Sequence, residues 1–394
     1  MRISLEQALD ILKDYITPGK TERKSLEECL GLVLAEDVMA QLDMPPFSRS
    51  AQDGYAFRSK DSEGASKEHP VRLKVTGKIY AGDFPKKEVN PGEAIRIMTG
   101  AMIPAGADCV LRQEDTDEGE EIVQIYKETE AGCSICFKGE EYKKGHILLR
   151  AGTKIDAAAL AVASGNGIME LPVYARVKAA VVSSGSEVVE PGTPLTPGKI
   201  YNTNTIYMKA RLKQLGANVV MTRTVGDELG IMREALNEAA SQSELVVTTG
   251  GVSVGQKDLT EEALLSIGAK ILFHGIAVKP GMPTLAAEKN GVLFLGLSGN
   301  PFSAAIPFEM FVREILGDPD LKLRKETLTA VTGFSKDSRK RRFLRGKADG
   351  KEVWLPDQQA NGQMRSMVGC NCLIDIPAGS GPVKAGDRVE VFWL

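Results

Sequence analysis

At 394 residues the chain is longer than a single hydrophobic core usually fills, so two to four domains are expected. Its 43% hydrophobic and 26% charged residues are those of an ordinary soluble globular protein. A formal net charge of -3 gives no overall attraction to nucleic acid or an anionic membrane, and no run approaches the roughly 20 apolar residues that a bilayer-spanning helix requires.

The first sixteen residues, MRISLEQALDILKDYI, carry polar groups on a helical period and read as a folded helix, not a leader peptide. Ser4 and Gln7 form a capping box, Leu5, Ala8, Leu9, Leu12 and Ile16 share one face, and Pro18-Gly19 is the stop. A second helix is expected from Leu26 to about Leu34, ahead of the Pro45-Pro46 break. From there to about residue 140, short β-like runs such as VRLKVTGKIYAG and EAIRIMTG alternate with Gly, Pro and charged turns. Helix returns over 154–170.

Residues 177–316 carry the clearest pattern. Apolar runs at 177–183, 218–225, 245–249, 271–278 and 292–297 read as buried strands, with helices between several of them. One helix holds Met208, Leu212 and Leu215 and ends at Gly216; another starts near Asp227; Asp258 and Glu261 cap a third; Asn300-Pro301 opens the last. Such alternation implies a mostly parallel sheet covered on both faces, with ligands at the carboxyl ends of its strands. The last 70 or so residues turn to short runs between Gly, Pro and Asp, as in a small all-β domain.

Six cysteines in a chain of this length do not make a disulfide scaffold, which points to a reducing, cytoplasmic setting. Cys133 and Cys136 form a C-x-x-C and Cys370 and Cys372 a C-x-C, without the four ligands of a structural zinc. They read as small hydrophobes. With His69, His146 and His274 the only histidines, chemistry must rest on carboxylates, lysines, backbone amides or a bound cation.

Two strand ends go beyond packing. In LVVTTGGVSVGQKD, Gly250 and Gly251 follow a buried strand directly, and Ser253 and Gly255 continue the loop toward Asp258. Glycines there admit close approach of a ligand, and the following helix N-terminus favours an anion. In LFLGLSGNP, Ser298, Gly299 and Asn300 end a strand and Pro301 begins a helix, a second backbone cradle at the same sheet edge. Either loop alone is equally well a tight strand-to-helix turn; together they favour a phosphorylated ligand. Neither matches the P-loop or the dinucleotide fingerprint. Lys279, at the end of an intervening strand, is either a phosphate counter-charge or a solvated lysine. Glu187 could ligate a divalent cation. Asp53-Gly54 reads most simply as a turn pair, and Thr99 lies beside Gly100. The basic run 338–345 suits an anion, nucleic acid or a charged edge strand.

In combination, PPFSRSAQDGYA, RIMTGAMIPAGAD, IYNTNT, TTGGVSVGQKD, AVKPGMP and GLSGNP resemble, in order and spacing, the MoeA-like molybdopterin molybdenumtransferases, which include the E domain of gephyrin. The resemblance covers essentially the whole chain. It implies a multidomain fold: a central doubly wound, MogA-like α/β molybdopterin-binding domain (1–23 and 173–325), a β-rich domain (45–139), an elongated connecting domain (24–44 and 140–172) and a small C-terminal β-barrel-like domain (326–394). It implies a homodimer whose active site is shared between subunits, with the molybdopterin adenylyltransferase and molybdoenzyme clients as further partners. The implied reaction takes adenylylated molybdopterin and molybdate, assisted by Mg2+, and releases AMP and the molybdenum cofactor.

Carried over by residue, the resemblance makes Asp53, Asp258 and Lys279 catalytic. Glu187, Asp258 and Glu244 become cation ligands, and Thr99, Gly250, Gly251, Ser253, Gly255, Ser298, Gly299, Asn300, Pro301 and Arg345 cofactor-binding residues. Asp53 either orients molybdate or transfers a proton. The chain departs from the family pattern at Ser48, Arg49 and Gln52, at Ser186 in place of an aspartate, and at Met282, where K-P-G-K-P supplies a second lysine. Fewer charges leave two alternatives, a tungstate-preferring transferase and a non-catalytic cofactor-binding paralogue.

Overall fold

A computed structural model of the chain describes residues 2–15, 20–252 and 259–394. They form two compact units, Thr21–Tyr174 and Met1–Lys20 with Ala175–Leu394. Helix α1 (Leu5–Lys13) opens with the expected capping box: Ser4 Oγ accepts from Gln7 N, and the Gln7 side chain accepts from Ser4 N. It buries Leu5, Ala8 and Leu12. The Pro18-Gly19 stop lies outside the described residues.

In the unit Thr21–Tyr174, five strands form one sheet: β1 (Gly54–Phe57), β2 (Val71–Ile79), β3 (Glu93–Ile97), β4 (Cys109–Arg112) and β5 (Ile122–Ile125), in the order β4-β1-β3-β2-β5. Strand β1 is buried on both faces, Tyr55 and Phe57 in one cluster and Ala56 in the other. A side chain at position 54 would put its Cβ 1.9 Å from the Leu111 carbonyl oxygen. Gly54 therefore serves close strand approach rather than a hairpin turn. Helix α2 (Ala157–Gly165), capped by Asp156, packs with a two-stranded ribbon of Thr21–Ser25 and Glu170–Tyr174. The helix expected over 26–34 is one 3-10 turn, Leu26–Glu28. Gly31 then takes a φ of 76°, and Val33 and Leu34 make β-bridges to Lys154 and Val173. Leu32 and Leu34 are buried with Val33 between them less so, a period of two that sets the backbone extended.

The other unit holds a six-stranded sheet of β6 (Lys178–Ser184), β7 (Asn218–Val225), β8 (Leu245–Thr249), β9 (Lys270–His274), β11 (Leu285–Lys289) and β12 (Val292–Leu297), in the order β7-β6-β8-β12-β11-β9. The first four in that order run parallel; β11 and β9 are antiparallel to their neighbours. Alternate residues of β6 face opposite layers: Ala179 and Val181 join the core under α1, α3 (Asn204–Gln214) and α6 (Pro301–Ile315). Ala180 and Val182 join that under α4 (Leu229–Gln242) and α5 (Leu259–Ser266). Helix α6 is buried on nearly every side. Its Glu309 carboxylate, 1% exposed, binds Arg211 through Nε (2.6 Å) and Nη2 (2.7 Å) and Arg313 Nε (2.9 Å), locking α3 to α6.

The stretch expected as one strand over 271–278 divides. After β9 the chain leaves the sheet, and β10 (Val278–Lys279) pairs instead with the C-terminal region. There β13 (Lys325–Ala330), β14 (Arg341–Asp349), β15 (Glu352–Trp354), β16 (Cys372–Ile376) and β17 (Arg388–Trp393) run in the order β14-β15-β13-β17-β16, and β16 pairs back to β14. This is a closed five-stranded barrel with its own core. Within the basic run, Arg341–Arg345 belong to β14, which pairs with β16 over Arg342–Gly346 and with β10 at Arg341 and Arg342, so this part is not a free edge. No helix among the described residues is long and apolar enough to cross a membrane.

Candidate active site

A cavity of about 790 Å³ opens at the carboxyl ends of the parallel strands. Ser183 and Ser184 end β6, Thr249 ends β8 with Gly250 and Gly251 after it, and Ser298, Gly299, Asn300 and Pro301 join β12 to α6. This is where a parallel sheet leaves strand ends and helix N-termini uncovered. Gly250 has a φ of 89°, and a Cβ there would stand 2.2 Å from the Ser184 carbonyl oxygen. Only glycine lets the β6 and β8 ends approach so closely. Asn204 Nδ2 donates to the Gly299 carbonyl (2.9 Å), tying the start of α3 to the second loop.

Two acids enter from neighbouring turns. Glu187 follows β6, and Asp227 follows β7. Asp227 Oδ2 accepts from Ser186 N (2.9 Å) and Ser186 Oγ (2.8 Å), so the serine at the family's aspartate position serves to hold an aspartate brought by the next strand. Sequence reading placed Asp227 only at a helix start. Its position just past a parallel strand was the available signal, the same one that marked Gly250. Ser184 was also passed over. Its Oγ is buried at the cavity wall without a hydrogen-bond partner among the described residues. A buried orphan hydroxyl costs free energy unless a ligand supplies its partner.

Not every expected residue is brought to this cavity. Ser253, Gly255 and Asp258 lie outside the described residues. Glu244 precedes β8, at the amino edge of the sheet, and Oε2 accepts from Lys178 N (2.9 Å). It ties two strand starts together and cannot share a cation with Glu187 at the far edge. Lys279 is exposed on β10 and belongs to the barrel sheet, not to the cavity lining.

Arg345, expected to touch cofactor, is fully buried. Its guanidinium lies 3.7 Å from the Phe302 ring centroid, and it donates to the carbonyls of Ala360 (2.7 Å) and Gln363 and to Gln359 Oε1 (3.3 Å). Burial pulls its pKa down to about 10. It holds the 359–363 loop, from which Gly362 reaches the cavity and the Asn361 carbonyl accepts from Phe302 N (2.9 Å).

In the other unit, Asp53 and Thr99 do meet. Asp53 Oδ1 accepts from both Thr99 N and Thr99 Oγ1 at 2.7 Å. The hydroxyl bond first, and the amide bond after it, hold the exposed carboxyl below its ordinary pKa. Asp53 is thus presented to solvent as a fixed anion from the start of β1.

Among the described residues no group of three His, Cys, Asp or Glu side chains could hold a metal ion by itself. Cys29, Cys109 and Cys372 are buried, and burial pushes the Cys109 and Cys372 thiols up to about 12, so these three behave as hydrophobes.

Three family models match in succession: the MoeA N-terminal region (domains I and II) over residues 3–167, a probable molybdopterin binding domain over 180–318, and the MoeA C-terminal region (domain IV) over 327–394. A protein of Staphylococcus epidermidis named molybdopterin molybdenumtransferase is 37% identical over 99% of this chain and 95% of its own length. One of the same name from Staphylococcus aureus is 36% identical over 93% and 90%. The crystal structure of a molybdopterin biosynthesis MoeA protein from Pyrococcus horikoshii superposes with a TM-score of 0.88 at 31% identity, covering 100% of this chain and 99% of that one. With its sheet-edge cavity, its closed C-terminal barrel and these full-length matches, the chain belongs to the MoeA family.

Proposed function

We propose that this chain is a molybdopterin molybdenumtransferase, inserting molybdate into adenylylated molybdopterin with release of AMP. The observation that carries this reading is relatedness to proteins of that name along nearly the whole chain, joined to a backbone-lined cavity at the parallel strand ends. In the proposed complex the phosphate groups lie against Gly250, Gly251, Ser298, Gly299 and Asn300, where backbone amides and the N-terminus of α6 favour negative charge. Ser184 Oγ donates its orphaned proton to the ligand, which gives a transition state with developing oxygen charge one preorganised partner.

The donor set also suits a hard divalent cation, for which Mg2+ is the natural choice, because Glu187 and Asp227 both offer carboxylate oxygen to the cavity. Such an ion would neutralise phosphate charge during cleavage. Asp53, ionised and fixed by Thr99, is assigned to molybdate positioning or proton transfer. The enzyme works, on this reading, as a homodimer with an active site shared between subunits.

Two measurements test the reading. AMP release from adenylylated molybdopterin should depend on molybdate and Mg2+ and collapse in Asp53→Ala; tight binding without release under molybdate or tungstate would overturn it. Mixing inactive Asp53→Ala and Glu187→Ala proteins, after subunit exchange, should restore about a quarter of wild-type turnover. Random pairing leaves one intact site in each mixed dimer. No restoration would reject the shared site.

A further inference from the structure

The two acids of the cavity stand on turns that follow different strands, Glu187 after β6 and Asp227 after β7. Ser186 bonds Asp227 where both are exposed, and hydrogen bonds open to water contribute little net stability. A firmer connection runs beneath, through Asn202.

Asn202 lines the cavity and is 3% exposed. Its backbone N donates to the Val189 carbonyl (2.8 Å), and its Oδ1 accepts from Thr205 N (3.0 Å) in the first turn of α3. Its Nδ2 donates to Thr205 Oγ1 and Thr224 Oγ1, at 2.9 Å each. Thr224 Oγ1 donates in turn to Glu190 Oε1, which also lies 3.2 Å from Asn202 Nδ2. One amide thus joins the segment after β6, the end of β7 and the start of α3. Glu187 stands three positions before Glu190, and Asp227 three positions after Thr224. None of these bonds engages either cavity carboxylate.

A network shielded from water is stronger than one at the surface, and costs more when a member is removed. The place calls for a short amide, because one side must accept from an N–H and the other must donate to hydroxyl and carboxylate oxygens. We propose that Asn202 is a positioning residue for the divalent cation, fixing the Glu187 turn against the Asp227 turn without itself ligating the ion. This inference rests on the cation assignment above.

Mn2+ titrated into the full-length protein, with the free ion followed by electron paramagnetic resonance, tests the role without turnover. Glu187→Gln should weaken binding, which identifies the site being read. Asn202→Ala should raise the Mn2+ dissociation constant about tenfold, as is usual when a group that orients a metal ligand is lost. Thr224→Val, nearly isosteric and gentler on folding, should raise it about threefold. The Mg2+ concentration giving half-maximal AMP release should also rise about tenfold in Asn202→Ala, with the rate at saturating Mg2+ within about threefold of wild type. Merely structural damage would lower that saturating rate, and no added Mg2+ would restore it. Such a result would overturn the proposal. So would Mn2+ affinity within about twofold of wild type in both variants, binding indifferent to Glu187→Gln, or no binding by wild type. The expected Mn2+ pattern without AMP release would instead sink the transferase reading and leave the positioning role standing. Mg2+-dependent release indifferent to Asn202→Ala would do the reverse.

Discussion

The cavity at the α/β sheet and the loop carrying Asp53 offer opposite kinds of functional surface. The cavity is built mainly from backbone: glycines, strand ends and helix starts, with a few hydroxyls and two acids around them. The Asp53 loop presents one side chain, a carboxylate held by one threonine and open to solvent. A backbone cradle distributes recognition over many weak donors, so single side-chain losses there should be modest. A lone fixed charge concentrates its contribution in one residue, and its loss should be severe.

That contrast can be broken or sharpened in four steps. Asp53→Ala should lower turnover by about 10²–10⁴-fold while adenylylated molybdopterin binds within a few-fold of wild type. Equal losses in rapid-kinetic turnover and in binding would place Asp53 in the cradle's class. Gly250→Ala asks the converse. The added Cβ meets the Ser184 carbonyl at 2.2 Å on a left-handed backbone, so substrate affinity should fall at least about tenfold and the melting temperature should drop. An unchanged melting curve would refute the close approach.

Ser184→Ala should be milder, weakening substrate binding about three- to tenfold and leaving thermal stability unchanged or slightly raised, because the hydroxyl has no partner to lose. A large destabilisation would show the serine to be structural. The smallest effect is expected of Thr99→Val. Thr99 keeps the Asp53 carboxyl ionised below the usual range, so turnover that needs the anion persists to lower pH in wild type. Without the hydroxyl the Asp53 pKa rises, and the acid limb of the pH–rate profile should move to higher pH while the alkaline limb stays. A limb that does not move would detach Asp53 ionisation from catalysis.

Much of the cavity was legible because parallel strands buried on both faces spell continuous apolar runs. The glycines ending β8 and the Ser-Gly-Asn-Pro ending β12 then stand where ligands bind. Strand β11, LAAEK, was passed over since alanine, glutamate and lysine carry no strand signal; burial and pairing against β12 and β9 override that. The 26–34 stretch was misread because leucines at 26, 30, 32 and 34 satisfy either period when taken loosely, and Gly31 settles it. Arg345 and Glu244 show the limit of transferring roles by position. A motif marks where a residue stands in the chain, whereas cavity or interior is decided by which way a strand presents it and by the carbonyls or amides nearby. The joining of Asp53 to Thr99 spans 46 positions and no local pattern announces it.

The departure of the chain from the α/β sheet at His274 also governs the order in which the molecule can be completed. Val278 and Lys279 form a strand whose partners, Arg341 and Arg342, lie more than sixty positions downstream. At about 5–20 residues per second of synthesis, this segment waits roughly 3 to 13 seconds on the ribosome with its backbone groups unpaired. The barrel that carries its partner strand cannot close until the last strand, Arg388–Trp393, has been released. The α/β layer can be in place by then, so chains truncated before the final strand should keep the sheet and expose the β10 edge to passing chains and to proteases.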